Sequence, residues 1–382
     1  LWIIAWRDLG RNRRRSFFSI LAVGMGLGLL VLLNGYIKGV WEESLENSIR
    51  LETGHLQLRA PAYEAEQTSL LWEDLLAEPA TLAEQAMDLD AVQAAAPVLW
   101  AGGYLNTRDE AVGLRFFGIE TDSPIYDPFR EALVDGAFLT PGDRSGILIG
   151  RRLAEGLQLA VGDTTTLALI NASGEPDESP FTIRGIFETG VYMYDDGAAL
   201  LPLAKAQAFA GTGDRASAVT MLLRDQEEAD AVAATLAGPG VNALTWRTLN
   251  EVFIQTIDMA MGFYVYLYGI VILIVAVLIA NTLLMAVFER FREIGILASL
   301  GMRQRQITLM FLIEAALLGV MGVLLGNVLG ALGVVWLANY GIPMGDMGAV
   351  AEGVALGSTL HARFNPGGML SLSLWTLAIT LL

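Results

Sequence analysis

The chain is 382 residues long, 54% hydrophobic and only 17% charged, yet its formal net charge is −17. An acidic soluble domain reaches such a charge with more ionisable residues, so the apolar excess and the acidic excess must occupy different parts of the chain. With no cysteine and only two lysines, Lys38 and Lys205, the composition excludes disulfides, thiolate metal sites, thiol catalysis and a role in binding nucleic acid.

Residues 1–16 carry Arg7, Arg11, Arg13, Arg14 and Arg15 against Asp8 and read as a basic N-terminal helix. Residues 17–37 follow with no charge over 21 positions, and a helix needs roughly 20 apolar residues to cross a bilayer. A cleaved signal peptide is the alternative, but the run exceeds the usual apolar core of about 7–15 residues and no small-residue cleavage site follows Tyr36.

Residues 38–258 hold 35 of the 41 acids and 14 of the 24 basic residues, a local net charge of −21, and are expected to form a large α+β extracytoplasmic domain inserted between helices one and two. The segment from Trp41 to Glu52 reads as a helix continuing out of the first span. Strands are expected at 54–59, 114–119, 147–149, 164–169, 181–187 and 218–223, where β-branched or alternating apolar residues cluster. Helices are expected at 151–157, 204–210 and 227–236, with turns at 141–143, 174–176 and 211–213. Neither 38–53 nor 245–262 is rich in glycine or proline, so both connections to the membrane are expected to be stiff.

A second span is expected at 259–288, which is 30 residues without a charge, with Tyr264, Tyr266 and Tyr268 at its outer interface. Residues 289–306 carry Arg290, Arg292, Arg303 and Arg305 against Glu289 and Glu293. A third span occupies 307–340, a loop 341–368, and the start of a fourth span 369–382, with more chain expected beyond both ends. The two arginine-rich segments are short and abut spans, so the positive-inside rule places them in the cytoplasm and the acidic domain outside.

Within the third span Gly322, Gly326 and Gly330 repeat at every fourth position, and Gly24 and Gly28 do so in the first, a spacing that allows close helix contact within the bundle or across a dimer. Asn281 and Glu314 are polar residues inside the spans, where a structural hydrogen bond or interfacial snorkelling is commoner than a part in substrate or proton movement. Other chemistry is missing. Neither lysine lies in a phosphate loop, and His55 and His361 are far apart with no metal-binding spacing, so catalysis and metal hydrolysis are not expected. His55 reads as a surface histidine of a strand, and the pairs Asp195-Asp196 and Glu227-Glu228 as solvated charge.

The stretch Asn281-Thr282-Leu283-Leu284, Phe288-Glu289-Arg290, Arg292-Glu293-Ile294-Gly295, Ser299-Leu300-Gly301 and Arg303-Gln304-Arg305-Gln306-Ile307, running on to Glu314 and the glycine-rich span, resembles the FtsX/MacB-type ABC transporter permease family. Trp6-Arg7-Asp8-Leu9 resembles the helix that precedes the family's first span, and Thr53-Gly54-His55-Leu56, Gly150-Arg151-Arg152-Leu153 and Val161-Gly162-Asp163 its periplasmic core domain.

The resemblance implies a non-catalytic four-span permease of the bacterial inner membrane, working with a cytoplasmic ABC ATPase dimer that binds the ATP and Mg, and with a second permease copy or paralogue. It implies an ATPase-docking coupling helix carried by Arg290, Phe291, Arg292, Glu293, Ile294, Leu297, Leu300, Arg303 and Arg305. MacB itself has an ATPase domain before its first span, whereas only an arginine-rich segment is expected here, and the large outer domain is unlike that of the cell-division branch. The pattern is similar to the LolC/LolE-like branch, which implies cargo that is a lipoprotein, lipid or amphiphile and a periplasmic carrier. The alternatives are MacB-like efflux with an outer-membrane factor, and a non-transport regulator of a cell-wall hydrolase.

Overall fold

The computed structural model describes residues 13–64, 68–108, 110–289, 291–299, 301–344 and 355–380. The chain divides into two compact units, one of Leu1–Glu42, Gln255–Pro343 and Thr359–Leu382, the other of Glu43–Ile254 and Met344–Ser358. Residues 1–12 of the expected basic helix and the last two residues of the expected fourth span lie outside the described residues.

The helical unit is built from α1 (Arg13–Ser48), α9 (Glu251–Glu289), α10 (Phe291–Ser299), α11 (Gln304–Tyr340) and α12 (Pro366–Thr380), of which α1 and α9 run on into the other unit. Among the described residues, three helices are long and apolar enough to cross a membrane: Ser16–Thr53, Glu251–Val277 and Gln304–Tyr340. The fourth, α12, spans 15 residues. A two-stranded ribbon, β11 (Ile342–Pro343) with β12 (Thr359–Leu360), sits between α11 and α12.

Helix α1 is the shared neighbour in this unit. Its glycines let α11 approach: a Cβ added at Gly326 would stand 2.8 Å from the Gly24 carbonyl oxygen, and one at Gly330 3.1 Å from that of Gly28. Polar side chains join the helices as well. The Asn34 amide donates to Tyr268 Oη at 3.4 Å and accepts from Asn365 at 3.0 Å, while Ser373 donates to Asn327 at 3.0 Å. Each of these groups would lose its partner in hydrocarbon if the helices parted.

The second unit is a mixed sheet of ten strands: β1 (Leu56–Arg59), β2 (Val92–Asn106), β3 (Ala111–Ile119), β4 (Leu133–Gly136), β5 (Gly146–Gly150), β6 (Thr164–Ile170), β7 (Pro176–Phe187), β8 (Ala198–Pro202), β9 (Ala218–Leu223) and β10 (Asn242–Thr245). Six of them close a hydrogen-bonded ring, because β2 pairs with β3, β3 with β8, β8 with β5, β5 with β7, β7 with β6 and β6 again with β2. Closure removes the exposed edges that a long sheet would otherwise present.

Strand β2 belongs to two lobes. Its residues 92–98 pair with β9, which continues to β1 and β10, whereas residues 103–106 pair with β6 inside the ring. The change of partner is made at Gly103, where an added Cβ would fall on the Ala168 carbonyl and the Phe116 ring. Short helices flank the sheet: α2 (Pro79–Met87), α3 (Asp127–Glu131), α4 (Arg151–Gly156), α5 (Tyr192–Gly197), α6 (Leu203–Ala210), α7 (Ala229–Leu236) and α8 (Trp246–Leu249). The fully buried Leu105, Ile147, Leu167, Phe181 and Leu200 come from five ring strands and fill one continuous core.

The expected strands all form, with limits moved by a few residues, and β2, β4, β8 and β10 are additional. Two expectations are corrected. Asp195 is not solvated: it is 3% exposed and accepts three hydrogen bonds from Thr189 and Gly190. His55 is not a free surface group, since its Nδ1 accepts the Leu223 backbone N–H at 2.9 Å, and burial lowers its pKa.

Candidate coupling site

Helix α10 lies in sequence between two membrane-length helices, and its C-terminal end is marked. After it, Gly301 adopts φ +93°, a left-handed conformation that glycine takes without Cβ strain. The next helix then starts with a reciprocal cap: the Arg303 N–H donates to Gln306 Oε1 at 2.9 Å, and the Gln306 N–H returns to the Arg303 carbonyl at 2.8 Å. Ser299 Oγ closes the last turn of α10 by donating to the Ile296 carbonyl at 2.8 Å.

The helix presents Phe291, 72% exposed, beside the exposed Arg292, with Ile294 half-buried and Ile296 exposed. Arg303 and Arg305 follow just beyond it, and both are exposed. Glu293 and Leu297 lie on the same nine-residue helix, and Arg290 and Leu300 lie outside the described residues. A large aromatic group without intramolecular cover, next to guanidinium groups that reach acidic partners bidentately, is the makeup of an interface anchor.

Of the other sequence-selected residues, Gly24 and Gly28 are brought against Gly326 and Gly330, and Gly322 meets Val23 of the same helix, so this contact lies within one chain. Glu314 is buried on α11, and Asn281 is exposed on α9.

Sequence reasoning missed a buried charge network in the sheet unit. A π-helical turn, Ile49–Thr53, follows α1 and carries Glu52, whose carboxylate accepts from Arg115 at 2.6 Å and from Tyr194 Oη at 2.7 Å. Arg59 lies over the rings of Trp100 and Tyr63 at 5.1 and 5.7 Å and donates to Gln57. Each of these residues is ordinary alone, and the pairs are 63 and 142 positions apart in sequence, so no local spacing announces them.

Residues 16–238 match the MacB-like periplasmic core domain, and residues 265–382 match the FtsX-like permease C-terminal. The chain is 25% identical over 351 residues to the lipoprotein-releasing system transmembrane protein LolC of Neisseria meningitidis serogroup B, covering 86% of this chain and 80% of that protein. It is 25% identical over 363 residues to the macrolide export ATP-binding/permease protein MacB of Rhodospirillum rubrum, covering 89% of this chain and 53% of that one. The periplasmic region of MacB from Actinobacillus actinomycetemcomitans superposes with a TM-score of 0.38 at 12% identity, covering 55% of this chain and 97% of that structure. With a core-domain match over more than half of its length, a permease match over its last third and helices of membrane length, the chain belongs to the FtsX/MacB-type ABC transporter permease family.

Proposed function

We propose that this chain is the non-catalytic permease subunit of a bacterial inner-membrane ABC transporter, in which α10 docks on a cytoplasmic ATPase dimer that binds the ATP and Mg. Closure of the ATPases displaces α10, and the movement passes through α1 and α9 to the core domain, which acts on cargo outside the bilayer. The observation that carries this reading is the exposed Phe291 and Arg292 on the helical segment that lies in sequence between two membrane-length helices, in a chain whose residues 265–382 match the FtsX-like permease C-terminal. The length of the likeness to LolC favours a lipoprotein, or a lipid or amphiphile of similar chemistry, as cargo, with a periplasmic carrier to receive it. A second permease, identical or paralogous, completes the assembly.

Co-purification from native membranes in mild detergent tests the docking. The double variant Phe291→Ala, Arg292→Glu should lose an anchor and reverse a charge, and ATPase recovery should fall by about tenfold or more, as for loss of one interface anchor. Undiminished recovery would remove α10 from the interface. The co-purified cargo separates the branches: an acylated protein supports lipoprotein release, whereas a small amphiphile together with an outer-membrane factor supports MacB-like efflux.

A further inference from the structure

The loop between α11 and α12 does not stand apart from the core domain. Met344–Ser358 belongs to the same compact unit as the sheet, and Ala355 is part of its main hydrophobic core. Two backbone contacts and one from a side chain hold it there. The Ser358 N–H donates to the Gly190 carbonyl at 2.6 Å, Gly357 forms an antiparallel bridge with Val191, and the Asn47 amide donates to the Ala355 carbonyl at 3.2 Å. The Met344 N–H closes the base of the loop on the Ser358 carbonyl at 3.0 Å.

The receiving edge, Thr189-Gly190-Val191, is not part of a strand, and its shape is set by one side chain. Asp195 Oδ1 accepts the Thr189 N–H at 2.7 Å and the Thr189 hydroxyl at 2.8 Å, and Oδ2 accepts the Gly190 N–H at 3.0 Å. Its own N–H donates to the Val191 carbonyl at 3.0 Å, and the Val191 N–H reaches Thr189 Oγ1 at 3.2 Å. Gly190 takes φ +75°, which turns its carbonyl toward Ser358, and Gly150 leaves room for the Asp195 backbone, where an added Cβ would collide. A carboxylate is the one side chain of this size that accepts on both oxygens. Asparagine would set an amide donor against the Gly190 N–H, and alanine would leave three part-buried donors without this acceptor.

We infer that Asp195 is a positioning residue that shapes Thr189–Val191 as the docking edge for Gly357–Ser358, giving the core domain a third attachment to the helical unit besides α1 and α9. The three passages meet: Ser48, the last residue of α1, donates to Asn250 just before α9 at 2.7 Å, and both line a cavity of about 60 Å³ with Glu52 and Ala355. Residues 355–358 lead directly into β12 and α12, while Met344 follows β11 and α11, so displacement of either helix pulls on the docking edge through a few residues of chain. That this attachment passes work to cargo rests on the proposed permease function.

Amide hydrogen exchange on the full chain, assembled with its ATPase, tests the positioning. In Asp195→Ala the Gly190 and Ser358 amides should exchange roughly tenfold faster or more, as for the loss of about one net hydrogen bond each, while Val219 and Ile149 in the sheet stay protected. Unchanged Ser358 exchange in a folded Asp195→Ala protein overturns the inference. Should that variant not fold, Asp195→Asn keeps the size of the side chain and sets an amide donor against the Gly190 N–H, and the Gly190 and Ser358 amides should again exchange faster; unchanged Ser358 exchange overturns the inference equally. The transmission step is read as cargo released per ATP hydrolysed. It should fall in both variants with ATP hydrolysis retained, and an unchanged ratio shows an edge that carries no work. A wild-type chain that hydrolyses ATP with its partner and releases no cargo would instead refute the proposed function and leave the exchange result standing.

Discussion

Asp195 carries a pH signature as well as a shape. Burial raises its pKa to about 6, against hydrogen bonds from Thr189 and Gly190 that act to lower it, and the neighbouring Glu188 adds to the rise. The unfolded chain has a value of about 3.9, so the folded state binds the proton more tightly. The stabilisation is therefore complete below about pH 4 and is lost as pH rises through about 6, by up to about 3 kcal/mol. Thermal unfolding of the core domain in the full chain, followed from pH 4 to 7, should show this slope. In Asp195→Asn this contribution to the slope should be lost; an unchanged difference between the two proteins across that range would mean that the carboxyl titrates elsewhere. A second residue-scale contrast concerns the glycines. A Cβ at Gly326 would meet the Gly24 carbonyl and Leu27 Cβ, both at 2.8 Å and unable to move alone, whereas one at Gly333 meets only the far end of Leu32 at 2.9 Å. Gly326→Ala should cost about 1–3 kcal/mol of bundle stability by overpacking, and Gly333→Ala little, measured as the detergent-denaturation midpoint. Equal effects would show that the helices shift freely past one another.

At the scale of the element, what was legible in the sequence is what local chemistry dictates. The membrane-length helices follow from uncharged runs, and α10 from apolar residues between arginines with Gly301 after it. Strand β9 appears at 218–223 as expected, because Ala-Val-Thr-Met-Leu-Leu has no helical stripe and is bounded by turn residues. Strand β8 was hidden for an equally physical reason. All five of its residues are buried, so Ala-Ala-Leu-Leu-Pro has no polar face to alternate with, and a fully buried strand cannot be told from a helix segment by period. Strand β2 was hidden by Pro97, Gly102 and Gly103, which read as breakers locally but mark the exchange of partner between two lobes. The Glu52, Arg115 and Tyr194 network was invisible because its parts meet only through the fold, whereas the Asp195 loop closes over five and six residues and was hidden because an acidic pair beside glycine reads as solvated charge. The network carries its own expectation. Arg115→Leu would leave the part-buried Glu52 carboxylate with Tyr194 as its side-chain hydrogen-bond donor, and a loss of about 1–3 kcal/mol in core-domain stability is expected for removing a charged hydrogen-bond partner. Adding Glu52→Gln should recover part of it by removing the uncompensated charge; no recovery in the double variant would mean that Arg115 acts through packing on Phe117.

For the whole molecule, the long helix α9 poses the question of what covers it. Its apolar side chains are exposed over most of its length, and Met259, Phe263, Tyr266, Ile270, Leu273 and Val277 recur at alternating steps of four and three. Lipid accepts apolar surface at any angle, whereas a regular repeat of this kind sets one stripe along a helix and is the spacing by which two helices pair with a slight left-handed supercoil. The second permease in the proposed assembly supplies such a helix. The native chain has no cysteine, so single cysteines report contacts without background. Ile270→Cys in this chain, paired with the matching substitution in the partner permease, should cross-link in native membranes. Val265→Cys is as exposed but lies five residues away, roughly 140° around the helix, and should not. Cross-linking that depends on ATP at Ile270 alone would place the pairing of the two permeases within the transport cycle. Equal yields at both positions would mean that α9 faces lipid on all sides, and that the permeases meet through another helix.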